Sequence, residues 1–132
     1  MTTTADNRLQ RAREYAKAAR EEFARAEEAK GREAVIGLQN ACGKGWLAVL
    51  ETAHAYFLSC GVPEAELPAT DRGWRFMTGR HMEQDMKKQF NEMRLTFHVD
   101  GYYGGIVDFD DMPTHLEELD DFIETVAGWP DA

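Results

Sequence analysis

The sequence predicts an all-α fold, an antiparallel four-helix up-and-down bundle with room for a short extra helix. Apolar residues recur in steps of three and four over long segments, which is the spacing of one face of a helix. Gly and Pro residues separate these segments, and no segment shows the alternation that is typical of a strand. The 132 residues fit a single domain, 1–132.

The first helix is predicted to follow a frayed tail, residues 1–7, with Asp6 or Asn7 as its cap. The pair Lys30-Gly31 predicts its end. Its apolar stripe is mostly alanine, so a neighbouring helix can approach closely. The stripe comprises Leu9, Ala12, Ala16, Ala19, Phe23 and Ala26.

The second helix is predicted from about Glu33 to Ser59. It is apolar on most sides, which is typical of the most buried helix in a bundle, and Trp46 lies on its main apolar face with Cys42 and Val49. Gly37, Gly43 and Gly45 each cost up to about 1 kcal/mol in helix propensity. Close packing against the alanine stripe of the first helix would explain why they are tolerated.

A loop with two prolines, residues 61–69, is predicted to link the second and third helical regions of the same domain. Thr70 can cap the third region, which resumes its apolar spacing after Gly79. We therefore expect a break at Gly79. The pairs Asp100-Gly101 and Gly104-Gly105 predict the end of this region.

The last helix is predicted to begin near Pro113 and to end at Ala127. Thr114 and Glu117 fit a capping box at its start. Its apolar stripe is formed by Leu116, Leu119, Ile123 and Val126.

The formal net charge of −9 and the pI near 4.9 argue against a nucleic-acid-binding surface over the whole protein. The acidity is local: all 15 Lys and Arg residues precede residue 99, and residues 99–132 contain ten acidic residues. A small basic stripe, Arg13, Lys17 and Arg20, lies on the first helix. The acidic last helix therefore predicts a salt-sensitive contact with a basic surface of a partner or a second copy.

Neither a membrane span nor a leader is expected. No apolar run approaches the roughly 20 residues of a span, and no charged-then-apolar stretch opens the chain. Cys42 and Cys60 do not make a disulfide framework. These features favour a cytoplasmic protein.

Glu51 and His54 form an E-x-x-H pair, the spacing with which ferritin-like bundles present metal ligands. Such a site needs a second pair and two further glutamates. The last helix offers only His115 followed by Glu117 and Glu118, in reversed order. Solvent-facing polar side chains are the alternative, and we expect neither a metal nor a cofactor.

The segment RLTFHVDGYYGG, residues 94–105, closes the third helical region with an unusual set of polar and aromatic side chains. A pocket at the end of the bundle would have them as its lining. The alternative is a helix terminus whose tyrosine rings pack on the core while their hydroxyls reach water. The ligand-binding candidates are Arg94, His98, Asp100, Tyr102 and Tyr103.

The order of elements resembles the HEPN superfamily of small helical bundles. The resemblance is carried by RAREYAKAAREEF, by GLQNACGKGWLAVLETAHAYF and by the H-x-x-G-Y-Y segment from His98 to Tyr103, and it covers roughly residues 8–127. It implies a homodimer or a nucleotidyltransferase-like protein partner. It also implies that a member can be a non-catalytic binding module.

Catalytic members of that superfamily are RNases with an R-x(4–6)-H motif. Arg75 and His81, with five residues between them, fit this spacing, whereas Arg94 and His98 do not. The resemblance thus implies these two residues as candidate catalytic groups of a metal-independent RNase, with RNA as substrate.

Taken together, these features predict a non-catalytic, HEPN-like bundle that binds a ligand or a protein partner. Two alternatives stay open: an RNase that uses Arg75 and His81, and a metal-binding bundle that uses Glu51 and His54.

Overall fold

The structure, a computed structural model, describes residues 3–129 and is all-helical, as predicted. Its five α-helices are α1 (Thr3–Glu28), α2 (Gly31–Ser59), α3 (Asp71–His81), α4 (Gln84–Met93) and α5 (Met112–Ala127). A π-helical stretch, Arg94–Tyr103, continues α4 and is called the π segment below. Short 3-10 turns occur at Glu64–Glu66 and Phe109–Asp111. No strand occurs between residues 3 and 129.

Helix α1 begins earlier than predicted. It starts at Thr3, so the expected tail is already helical from that residue, and neither Asp6 nor Asn7 caps it. The reason is that Ala5 is fully buried in the core, which holds the first turn in place. Met1 and Thr2 lie outside the described residues.

Helices α1 and α2 form a hairpin, with only Ala29 and Lys30 between them. Gly31 has a φ of +58°, a left-handed conformation that suits glycine, so the predicted stop at this position is confirmed. Past the turn, Gly37 lies against Ala26, and a Cβ on Gly37 would be 2.8 Å from the Ala26 Cβ. The alanine stripe of α1 therefore does allow a close approach at Gly37.

The other two glycines of α2 face a different partner. A Cβ on Gly45 would lie 2.8 Å from Cδ1 of Phe97, and one on Gly43 would lie 2.9 Å from Cδ1 of Tyr102. The prediction that they pack against α1 is wrong. They make room for the π segment, which lies on the opposite side of α2.

The third helical region consists of two helices. Thr70 caps α3 as predicted, since its Oγ1 accepts a hydrogen bond from the Gly73 N–H at 3.0 Å. The break lies at Met82 and Glu83, not at Gly79, which is inside α3. Glu83 causes the new start, because its carboxylate accepts a hydrogen bond from a backbone N–H in the first turn of α4.

The end of this region agrees with the second of the two predicted stops. The pair Asp100-Gly101 does not stop the helix, which continues in π geometry to Tyr103 and has Gly104 as its C-cap. Gly101 is instead the contact point with α2, because a Cβ there would be 2.5 Å from Sγ of Cys42. Extended π-helices are rare and often occur at functional sites.

Helix α5 starts at Met112, so Thr114 lies inside it and the predicted capping box is wrong. Pro113 occupies the first turn, as predicted. Met112 is fully buried, which extends the apolar stripe of α5 by one turn toward its start.

Helix α5 packs against both α1 and α2. Two ion pairs join it to α1: Arg13 contacts Glu124, and Nη1 of Arg20 lies 3.1 Å from Oδ1 of Asp120. The acidic last helix thus meets the basic stripe of its own chain. No helix among residues 3–129 is both long enough and apolar enough to cross a membrane.

Helix α2 contacts α1, α4, α5 and the π segment, in agreement with its predicted central place. One hydrophobic core runs through all five helices. Cys42 is buried in it, Cys60 is exposed, and both are free thiols.

Candidate functional site

A cavity of about 280 Å³ lies between α2, α3 and the continuous helix formed by α4 and the π segment. Its lining combines aromatic rings with positive charges, and we call it the cation–aromatic cavity. The lining residues are Trp46, Asp71, Trp74, Arg75, Thr78, Lys87, Phe90, Asn91 and Arg94.

Aromatic rings form the base of this cavity. Trp74 and Phe90 are stacked, with ring centroids 5.6 Å apart and an interplanar angle of 15°. Trp46 lies against the same phenylalanine, with centroids also 5.6 Å apart. Phe90 is buried, while both indoles are partly accessible. The base therefore offers planar apolar surface to a ligand.

Three cations surround the base: Arg75 from α3, Lys87 from α4 and Arg94 from the π segment. None of them forms an ion pair with any group in the described chain. Asp71 is the single carboxylate in the lining. The cavity therefore carries an excess of positive charge, which is the electrostatic character of an anion site.

Helical spacing explains why these groups meet. Lys87, Phe90, Asn91 and Arg94 follow the i, i+3, i+4, i+7 pattern of one helix face. The lining residues from α3, which start at Asp71, follow the same pattern. The two faces oppose each other across the cavity.

A second cavity of about 490 Å³ adjoins the first and shares Trp46 with it. It lies between α1, α2 and the π segment, and its remaining lining residues are Glu22, Asn40, Gly43, Lys44, Leu47, His98 and Tyr102. The His98 ring stacks on Trp46 at 5.1 Å between centroids. Trp46 thus borders both cavities, and His98 lies against it on the side of the second cavity.

The predicted ligand-binding residues are divided between these cavities. Arg94 lines the first, and His98 and Tyr102 line the second. Tyr103 is exposed and touches His98 edge-on at 5.0 Å between centroids. Asp100 lines neither, and its backbone carbonyl accepts a hydrogen bond from the Ile106 N–H at 2.9 Å.

Burial is the main cause that lowers the pKa of His98 below its ordinary value. The positive charge of Arg94 lowers that pKa further, whereas Asp71 acts in the opposite direction. His98 therefore presents a neutral imidazole to the second cavity at neutral pH.

Replacing Arg94 with glutamine is expected to raise the pKa of His98, because one of the two causes that lower it is removed. An NMR titration of the imidazole protons measures this pKa directly. Arg80→Gln is the matched control, since Arg80 lines a different cavity and should leave the pKa of His98 unchanged. An unchanged pKa in Arg94→Gln would contradict the influence of the Arg94 charge on His98.

The proposed RNase pair is not brought together. Arg75 lines the cation–aromatic cavity, whereas His81 lines another one beside Cys60 and Arg80. The His81 ring lies against Phe57, with centroids 6.0 Å apart. A general acid–base group and a phosphate-binding cation need to reach the same substrate atoms, and these two residues face different spaces.

Glu51 and His54 share a helix face, but an arginine occupies the position between them. Arg8 donates a hydrogen bond to Oε1 of Glu51 at 3.1 Å and lies 3.4 Å from Nδ1 of His54. Because arginine only donates, Nδ1 accepts, and Nε2 carries the proton toward the Pro68 carbonyl at 3.4 Å. Burial lowers the pKa of His54. Among residues 3–129, no three His, Cys, Asp or Glu side chains are grouped to hold a metal ion.

Sequence reasoning missed Trp46, Trp74 and Lys87 as site residues. The signal was present: Lys87 precedes Arg94 by seven residues, or two helical turns, on the same face. Trp46 was assigned to the apolar face of α2, and only the structure shows that its ring borders two cavities.

No protein family, curated protein or solved structure was found to match this chain.

Proposed function

We propose that the protein is a non-catalytic binding module for a small organic anion that carries a planar ring. The observation that supports this most is the convergence of Arg75, Lys87 and Arg94, all without ion-pair partners in the described chain, on an aromatic base. The anionic group would lie among the cations, and the ring would stack on Trp46 or Trp74.

Electrostatics favours an anionic occupant. Three cations around one cavity repel each other, and the one carboxylate of Asp71 offsets only part of that repulsion. An anion that enters the cavity offsets the repulsion among the cations that Asp71 leaves. It also gains charge-assisted hydrogen bonds, especially from the two arginines. The volume of about 280 Å³ lies near the lower end of the range for small-molecule sites, about 300–1,000 Å³.

Phenyl phosphate is a suitable probe, because it combines one anionic group with one ring. Trp129 lies away from both cavities, on Tyr56, so a Trp129→Phe background leaves the fluorescence of Trp46 and Trp74 as the readout. We expect phenyl phosphate to quench this fluorescence saturably. Arg75→Gln and Arg94→Gln should each weaken binding about 10- to 100-fold, the effect of losing a charged hydrogen bond.

Arg72→Gln is the matched control, because it removes the same charge from α3 at an exposed position outside the cavity lining. It should change the affinity less than about twofold, since Arg72 does not line the cavity and acts on its occupant only through solvent, where salt screens the charge. Equal losses in Arg72→Gln and Arg75→Gln would show nonspecific attraction and contradict the proposed site. If phenyl phosphate shows no saturable binding to the unmodified chain, the proposed site is also contradicted.

The alternatives have less support. An RNase would need Arg75 and His81 at one substrate, and they line different cavities. A metal centre would need Glu51, whose carboxylate is already engaged by Arg8 and lies 3.8 Å from Arg11.

We also propose that the helices form an antiparallel up-and-down bundle of HEPN type, with α3 as the extra short helix. Three contacts between elements support this order. Residues 37 and 51 meet residues 26 and 8 across α1 and α2, and residues 42 and 45 meet residues 101 and 97 across α2 and the π segment. Residues 13 and 20 meet residues 124 and 120 across α1 and α5. In each pair of elements, the residue numbers run in opposite directions.

A homodimer or a nucleotidyltransferase-like partner, and a cytoplasmic location, remain proposals from the sequence. The exposed apolar side chains of Phe76, Tyr103 and Ile106 offer surface that a protein partner would cover. Fewer carboxylates of α5 are free to contact a partner than the sequence implied, because Asp120 and Glu124 form ion pairs with arginines of α1.

A further inference from the structure

We propose that the ligand has a second, uncharged ring that extends past Trp46 into the second cavity, so that the site binds a two-ring organic anion. This inference rests on the proposed function of the cation–aromatic cavity. It concerns the part of the ligand that the cations do not reach.

The two cavities are continuous in their lining. Trp46 borders both, and Arg94 and His98, one turn apart on the π segment, line one cavity each. A ring held against Trp46 in the first cavity therefore has the second cavity beside it. The cation–aromatic cavity, which would hold the anionic group, has a volume of about 280 Å³, and the second cavity beside it has about 490 Å³.

The lining of the second cavity has no excess of positive charge. Its two charged side chains, Lys44 and Glu22, have opposite signs and offset each other. The Lys44 ammonium lies over the Tyr15 ring at 6.0 Å, and Glu22 pairs with Arg25 at 3.2 Å. Because Glu22 offsets the charge of Lys44, a charged group would lose its hydration here for little electrostatic gain, so the cavity favours a neutral group.

The remaining walls are suited to a flat ring. Tyr102 packs directly over Gly43, His98 stacks on Trp46, and Leu47 adds an aliphatic side chain that is 38% exposed. Because His98 is neutral, it too contributes a ring without a charge. Asn40 is exposed in the same lining and supplies a hydrogen-bond donor and an acceptor. The walls would therefore recognise a neutral ring, and one with a polar substituent most tightly.

The test compares phenyl phosphate with 3-benzylphenyl and 4-benzylphenyl phosphate, which add a second ring through a methylene group. Isothermal titration calorimetry gives each dissociation constant. We expect at least one two-ring compound to bind about 10-fold more tightly, the gain from burying part of a second ring. Leu47→Glu, which places a charge in the second cavity, should abolish this gain and leave the affinity for phenyl phosphate within about twofold.

Leu95→Glu is the matched control, because it adds the same charge at an exposed leucine of the π segment outside this lining. It should preserve the gain from the second ring. Two-ring compounds that bind no more tightly than phenyl phosphate, or a gain that survives Leu47→Glu, would overturn this inference and leave the first cavity as proposed. Failure of phenyl phosphate itself to bind would instead overturn the proposed function, and this inference with it.

Discussion

Replacement of Phe97 by alanine is expected to lower the free energy of unfolding by about 3–5 kcal/mol, the usual cost of removing a buried phenylalanine ring. Phe97 is fully buried and fixes the π segment to α2 at Gly45. The lost ring leaves a void that the small residues of α2 cannot fill. Chemical denaturation followed by circular dichroism measures the change.

Leu95→Ala is the matched control for this prediction. Leu95 lies two residues earlier on the same π segment and is 54% exposed, so its truncation should cost less than about 1 kcal/mol. A double variant gives a second check. In the Phe97→Ala background, Gly45→Ala no longer meets the ring and should recover up to about 1 kcal/mol of helix propensity. A loss of similar size in Leu95→Ala would contradict the anchoring role of Phe97.

The helical periodicity of the sequence was sufficient to place the long helices. The stripes that begin at Leu9 and Leu116 are buried as predicted, and α2 is the central helix. The starts of helices were less predictable, because a start depends on what the first turn packs against. Ala5 and Met112 are buried by distant elements, and neither burial is visible in the local sequence.

The π segment could not be predicted from the residue pattern. Met93 and Phe97 are four residues apart, a spacing that fits an ordinary helix, and both are buried. Asp100-Gly101 has the composition of a helix end. Its glycine is required for a tertiary contact with Cys42, a reason that only the packed structure reveals.

The candidate site was predicted in part. Arg94, His98 and Tyr102 were selected from one segment, and each of them lines one of the two cavities. The residues that complete the cation–aromatic cavity come from α2, α3 and α4, and no local motif links those helices. Trp46 was assigned to the core face because of its spacing, but its indole is only partly buried and faces both cavities.

Replacement of Gly101 by alanine is expected to lower the free energy of unfolding by about 1–3 kcal/mol, the cost of overpacking a tight contact. The new Cβ would lie 2.5 Å from both Cβ and Sγ of Cys42 and 2.8 Å from the Thr96 carbonyl oxygen. The Cβ of Cys42 is fixed by the α2 backbone and cannot rotate away, so the π segment must move away from α2. The Thr96 carbonyl belongs to the π segment itself, so its contact with the new Cβ also distorts that segment. Urea denaturation measures the loss.

Gly79→Ala separates this steric effect from the general effect of alanine in a helix. Gly79 lies inside α3, and a Cβ there meets no atom within 4 Å. This control should therefore gain up to about 1 kcal/mol, opposite in sign to Gly101→Ala. Adding Cys42→Gly to Gly101→Ala removes two of the three close contacts and should yield a favourable coupling of about 0.5–3 kcal/mol. Equal effects of the two alanine substitutions would contradict a close approach of the π segment to α2, and with it the geometry that holds His98 against Trp46.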